Sequence, residues 1–131
     1  MLKEVKDLTG YPLDYALALA LCHRPMNLLI HPKPNGDVRM PGVWIGNPDG
    51  MHSRITYDNV VMMYGLIVRE RIHLCPVKLD GVDAWQSWVD HTKGQRVYGP
   101  EPKIAVARAF TTYRMGREVE IPSALLQGRL L

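Results

Sequence analysis

The stretch RIHLCPVKLDGVDAWQSWVD, residues 71–90, decides the fold class. Ile72, Leu74 and Pro76 alternate with Arg71, His73 and Cys75, the period of a half-buried strand. Lys78, Leu79, Asp80 and Gly81 then supply a turn, and Asp-Gly between apolar runs is a strong hairpin signal. Residues 84–90 read as the returning strand, because their aromatic content suits a sheet surface. Trp85 and Trp88 have opposite parity. One is therefore expected to face the core and the other solvent or a partner.

Helices are expected on both sides of this hairpin. Downstream, residues 103–115 carry Val106, Phe110 and Tyr113 as an i, i+4, i+7 stripe backed by Ala109, and Gly116 stops the helix. Upstream, Val60, Met63, Tyr64 and Ile67 share one helical face, with Thr56 or Asp58 as cap. Near the start, Thr9 is a candidate cap and Pro12 tolerates a first turn. Asp14 sits close enough to complement the positive end of that helix, and an Asp14 cap on its own helix is the expected role. The run at 16–21 alternates Ala and Leu, which also fits a strand, but both residues are strong helix formers. Helices are thus expected near 10–22, 57–69 and 102–115.

Shorter elements fill the rest. Residues 1–8 read as a strand or ordered lead-in, 27–31 as a buried strand, 118–121 as an extended piece and the tail from Ser123 as one helical turn. Residues 32–53 hold Pro32, Pro34, Gly36, Pro41, Gly42, Gly46, Pro48 and Gly50. That composition excludes a long helix and predicts a long loop with one short strand near 42–45. The expected architecture is one α+β domain over residues 1–131, a small antiparallel sheet of three to five short strands against about three helices. The length of 131 residues fits one domain.

Charge and composition exclude several function classes. Sixteen basic residues against thirteen acidic ones give a net charge of +3. No stretch forms a basic arm, so the charge describes a mixed surface and disfavours a nucleic-acid partner. The longest apolar run, at 60–68, has nine residues, short of the ~20 a membrane helix needs. The first residues, MLKEVKDL, lack the apolar core of a signal peptide. A cytoplasmic location with Cys22 and Cys75 reduced is the expectation.

Catalytic signatures are absent. Five histidines and two cysteines show none of the paired spacings of a structural zinc site. No G-x-S-x-G elbow, P-loop or G-x-G-x-x-G fingerprint occurs. No cofactor is implied. One constellation remains: Trp44, Tyr57, Trp85, Trp88 and Tyr98 fall in or beside irregular segments near Arg39, Arg54 and Arg96. Aromatic faces with guanidinium groups can hold a nucleobase and its phosphates. Asp14, Trp44, Trp85, Trp88, Arg96 and Tyr98 are the candidate binding residues.

LTGYPLDYA at residues 8–16 resembles the L-x-G-x-x-L-D-x-A opening of the NinX-like phage proteins of unknown function. The later order is similar too: an amphipathic segment reaching Gly65, IHLCP at 72–76, Trp85 on a strand, YGP at 98–100, a helix closing at Gly116, and EVEIP at 118–122. The resemblance spans residues 8–126, departing in the insert at 32–53. Leu13, Asp14, Ala16, Gly65, Trp85, Tyr98, Gly99 and Pro100 map onto its pattern. It implies a small cytoplasmic protein of a phage or prophage and no particular activity. The expected function is a non-enzymatic interaction module acting on a host or phage protein; the alternatives are a binder of a nucleotide-like ligand that counteracts host defence signalling and a nucleic-acid binder.

Overall fold

The computed structural model describes residues 1–22, 28–31, 41–46, 52–90 and 95–128, with the side chains of 29–31 excluded. Most of the Pro/Gly-rich loop expected at 32–53, with Arg39, lies outside the described residues. Strand β1 (Leu2–Glu4) leads through a 3-10 turn (Val5–Asp7) into α1 (Gly10–Leu21). Strands β2 (Leu28–His31), β3 (Gly42–Gly46) and β4 (His52–Ile55) follow, then α2 (Val60–Glu70). The hairpin β5 (Ile72–Leu79) and β6 (Val82–Val89) comes next, then β7 (Val97–Gly99), α3 (Pro102–Met115), β8 (Glu118–Glu120) and the one-turn α4 (Ser123–Leu126).

The fold is α+β, with three substantial helices. Among the described residues its strands are distributed over three small antiparallel sheets rather than one: β1–β8, β2–β3–β4 and β5–β6–β7. Strand β4 places regular structure at 52–53, at the end of the segment expected to be loop. The hairpin forms where Asp80 and Gly81 adopt φ of 50° and 80°, the positive pair that a two-residue turn needs to match strand twist. Its register runs from Ile72 opposite Val89 to Leu79 opposite Val82. Strand β7 adds Val97 opposite Ser87 and Gly99 opposite Trp85.

Helix α3 is the centre of the molecule. Every residue from 104 to 112 is buried, so the amphipathic stripe read from sequence widens to nearly the full circumference, the mark of a helix covered on all sides. It packs on the β5–β6–β7 sheet, on α1 and on the 3-10 turn. The approach to β7 is close: a Cβ on Gly99 would lie 2.7 Å from the Ala105 nitrogen. Phe110, Leu13, Leu17, Leu66, Val89 and Ile121 anchor the core around it.

Two local expectations are corrected. Asn59, not Thr56 or Asp58, caps α2, its Oδ1 accepting from the Met62 amide at 3.1 Å. The buried face of α2 is Met63 and Leu66. Val60 and Tyr64, assigned to that face by their spacing, are 75% and 67% exposed. Both stripes of this helix are apolar, so periodicity alone could not choose between them. No helix among the described residues is long and apolar enough to cross a membrane.

Candidate binding cleft

Two rows of side chains cross the β5–β6–β7 sheet on one face. Residues directly opposite on neighbouring strands point the same way, so the register builds ladders. In the first row His73 on β5 stacks on Trp88 of β6, with ring centroids 4.8 Å apart and planes within 2°. Arg96, just ahead of β7, lies over the same Trp88 ring at 4.1 Å from its centroid. Because β5 and β7 flank β6, the indole is held from two sides. His73 Nε2 also contacts Asp90 Oδ1 at 2.7 Å. In the second row Gln86 joins its neighbours. Its Nε2 donates to Tyr98 Oη at 3.0 Å. Its Oε1 accepts from Arg96 Nη1 at 3.2 Å and from Cys75 Sγ at 3.6 Å.

Arg96 and Tyr98 continue from these rows into a cleft of about 690 Å³. Leu79, Val82, Ala84 and Pro100 give it apolar wall, and Lys6, Arg108 and Arg117 bring further positive charge. Glu4 and Asp83 are its acids. Glu4 is paired with Lys6 at 3.4 Å and Asp83 with Lys78 at 3.3 Å. Among the described residues, none of Arg96, Arg108 and Arg117 forms an ion pair with a carboxylate. The acids are therefore spent locally, and a positive field is left in the cleft.

Arg108 is the unusual member. It is 8% exposed and sits within the apolar run IAVARAF at 104–110 of α3. Its Nε donates to the Leu8 carbonyl at 3.1 Å and its Nη1 to the Tyr98 carbonyl at 2.7 Å. It thereby ties the N-terminal segment and β7 to α3. Burial pulls its pKa below the ordinary value, with Asp7 opposing through space. The carbonyls satisfy its hydrogen bonds but carry no compensating charge.

The other candidates are placed elsewhere. Asp14 is 5% exposed and does not cap α1, whose cap position is Thr9. Its Oδ1 accepts from the Tyr57 amide at 3.0 Å, and the Thr56 side chain also bonds it. It tethers the turn ahead of α2. Loss of water by burial pushes its pKa up to about 6, against the lowering effect of those hydrogen bonds. Tyr57, fixed by that tether, accepts from the Gly10 amide at 2.9 Å through its hydroxyl. Trp44 lies on β3 in a different sheet. Trp85 is half-buried and shares strand parity with the buried Ser87 and Val89. Trp88 is half-buried too, so neither tryptophan is fully inside or outside.

Asp14, Trp85 and Tyr98 thus do not converge, and α1 contributes no wall to the cleft. Arg96 and Tyr98 are among the residues that line it, and Trp88, which does not line it, touches Arg96. Sequence reading missed Lys6, Arg108 and Arg117, together with the bracing Gln86 and His73. Arg108 had a legible signal, a lone charge in an apolar helix; the others had none. Among the described residues, no group of three or more His, Cys, Asp or Glu could hold a metal ion.

No protein-family model matches the chain. No curated protein gives a significant match.

Proposed function

We propose that this chain is a binding protein for a small anionic ligand of nucleotide-like size, seated in the cleft between the hairpin tip, β7 and α3. One observation carries the reading: three arginines without a carboxylate partner among the described residues line a single cleft, and one of them is largely buried. A cleft of about 690 Å³ falls within the range of small-molecule sites, roughly 300–1,000 Å³. The resemblance of residues 8–126 to NinX-like proteins extends the proposal to a phage or prophage protein in the bacterial cytoplasm, where such a ligand would belong to host defence signalling. Thermal-shift titration with mono-, di- and cyclic nucleotides tests it. Ligand at about 100 times its dissociation constant stabilises the fold by ~2.7 kcal/mol. A flat response across the panel, with citrate and pyrophosphate included, discards it.

A second reading rests on α2. Val60, Val61, Tyr64 and Val68 present an apolar face that is 61–83% exposed, and such faces serve protein partners. On this reading the chain is an interaction module that docks a host or phage protein. Affinity capture from phage-infected cells with the parent and a Val61→Glu variant separates the two. A partner lost only with the variant supports docking. Equal recovery by both excludes this face.

Nucleic-acid stacking finds less support. The exposed-sheet indole that would serve as a platform, Trp88, already has His73 and Arg96 against its ring.

A further inference from the structure

Three features of the cleft narrow its ligand to one chemistry, given that the cleft is a binding site. The first is the origin of the three guanidinium groups. Arg96 precedes β7, Arg108 lies within α3 and Arg117 precedes β8. Arginines supplied to one cleft by separate elements suit a tetrahedral anion with several terminal oxygens better than a planar carboxylate with two. A terminal phosphate also carries about −1.5 to −2 charge at neutral pH, closer to what three unpaired cations require.

The second feature is that Arg96 is braced by neighbouring protein groups. The Trp88 ring centroid lies 4.1 Å from its guanidinium carbon, and Gln86 Oε1 accepts from Nη1. Gln86 is itself fixed by Tyr98, and Trp88 by His73. A braced guanidinium loses less side-chain entropy on gripping an anion than a free one. The third feature is the apolar wall of Leu79, Val82, Ala84 and Pro100. Inorganic phosphate leaves that wall unused, whereas the organic body of an ester covers it.

We propose that the cleft binds the terminal phosphate of a phosphate monoester or diphosphate, with Arg96 as a gripping cation and Trp88 as the positioning residue that holds Arg96 ready.

Isothermal titration of the full chain with AMP, ADP, inorganic phosphate, 3′,5′-cyclic AMP and citrate tests this. AMP and ADP are expected to bind at least about tenfold more tightly than cyclic AMP or citrate, neither of which has a terminal phosphate. Arg96→Gln should weaken AMP about ten- to a hundredfold, the loss of a charge-assisted contact. Arg117→Gln is the second cation variant, because Arg108 also braces the fold. Trp88→Leu should weaken AMP about fivefold, and Trp88→Phe, which keeps an aromatic face, should restore it. Each variant is checked for a parent-like melting temperature. Inorganic phosphate is expected to bind more weakly than AMP; binding as tight as AMP overturns the ester assignment and leaves a cleft for the free phosphate ion. Citrate or cyclic AMP matching AMP overturns the phosphate assignment while leaving an anion cleft standing. A Trp88→Leu affinity equal to the parent overturns the positioning role alone. No binding by any of the five ligands overturns both this assignment and the cleft reading beneath it.

Discussion

Asp14 and Arg108 are both ionisable, 5% and 8% exposed, and carried on helices that pack against each other. Their surroundings differ in what they leave over. Asp14 lies beneath the turn at 56–58, where the Tyr57 amide and the Thr56 side chain bond its carboxylate. Its hydrogen bonds are used to hold that turn, and it does not line the cleft between β7 and α3. Arg108 gives two donors to backbone carbonyls and still lines an open cleft with two other arginines that have no carboxylate partner among the described residues. Burial of a charge therefore does not by itself mark a site. What marks one is charge left uncompensated where a ligand can reach it.

The largest expected effect tests the structural half of Arg108. Arg108→Leu removes both carbonyl contacts, each a charge-assisted hydrogen bond, and should cost roughly 3–5 kcal/mol in urea denaturation. Arg108→Lys, which can keep one contact, should lose about half as much. Parent-like stability of the Leu variant would break the comparison at its root.

Asp14 predicts a pH effect of the next size. The unfolded chain releases this proton near the ordinary value of 3.8, whereas the folded protein keeps it up to about pH 6. The stability from holding that proton is full below about pH 4 and is lost as pH rises through 6. The Asp14→Asn curve should lack this fall, so parent and variant should diverge by on the order of 2–3 kcal/mol between pH 4 and 7. Parallel curves would mean that Asp14 is not held protonated by burial.

Gly99→Ala tests the wall that positions Arg108 beside β7. The new Cβ would meet the Ala105 backbone nitrogen at 2.7 Å, forcing α3 and β7 apart. A loss of about 1–3 kcal/mol is expected in thermal melts, and an unchanged melt would show that this contact yields without strain.

Thr111 sharpens the comparison at the small end. It is fully buried one turn beyond Arg108, and its Oγ1 has no hydrogen-bond partner among the described residues. Thr111→Val keeps the shape and removes the orphan hydroxyl, so a gain of up to about 1 kcal/mol is expected. A loss of stability would reveal a partner for that oxygen.

Most local elements were legible along the chain. Helices expected at 10–22, 57–69 and 102–115 form at Gly10–Leu21, Val60–Glu70 and Pro102–Met115. The Asp80-Gly81 hairpin forms where it was read. Gly116 ends α3 with φ of 89°. Such signals act within a turn or two of chain, through backbone dihedrals, capping and side-chain period, so a linear reading captures them. Tertiary structure decided the rest. It divided the strands among three sheets and chose which apolar face of α2 went inside. It gave Asp14 a partner 43 residues away and Arg108 one 100 residues away. The cleft draws on the N-terminal segment, the hairpin tip, β7, α3 and Arg117, and no local pattern encodes their meeting. Arg96 and Tyr98 were legible because aromatic and guanidinium groups stand close together in sequence there. Arg108 acquired its role only when α3 was enclosed on all sides, since a charge on a helix becomes informative once water has been removed from around it.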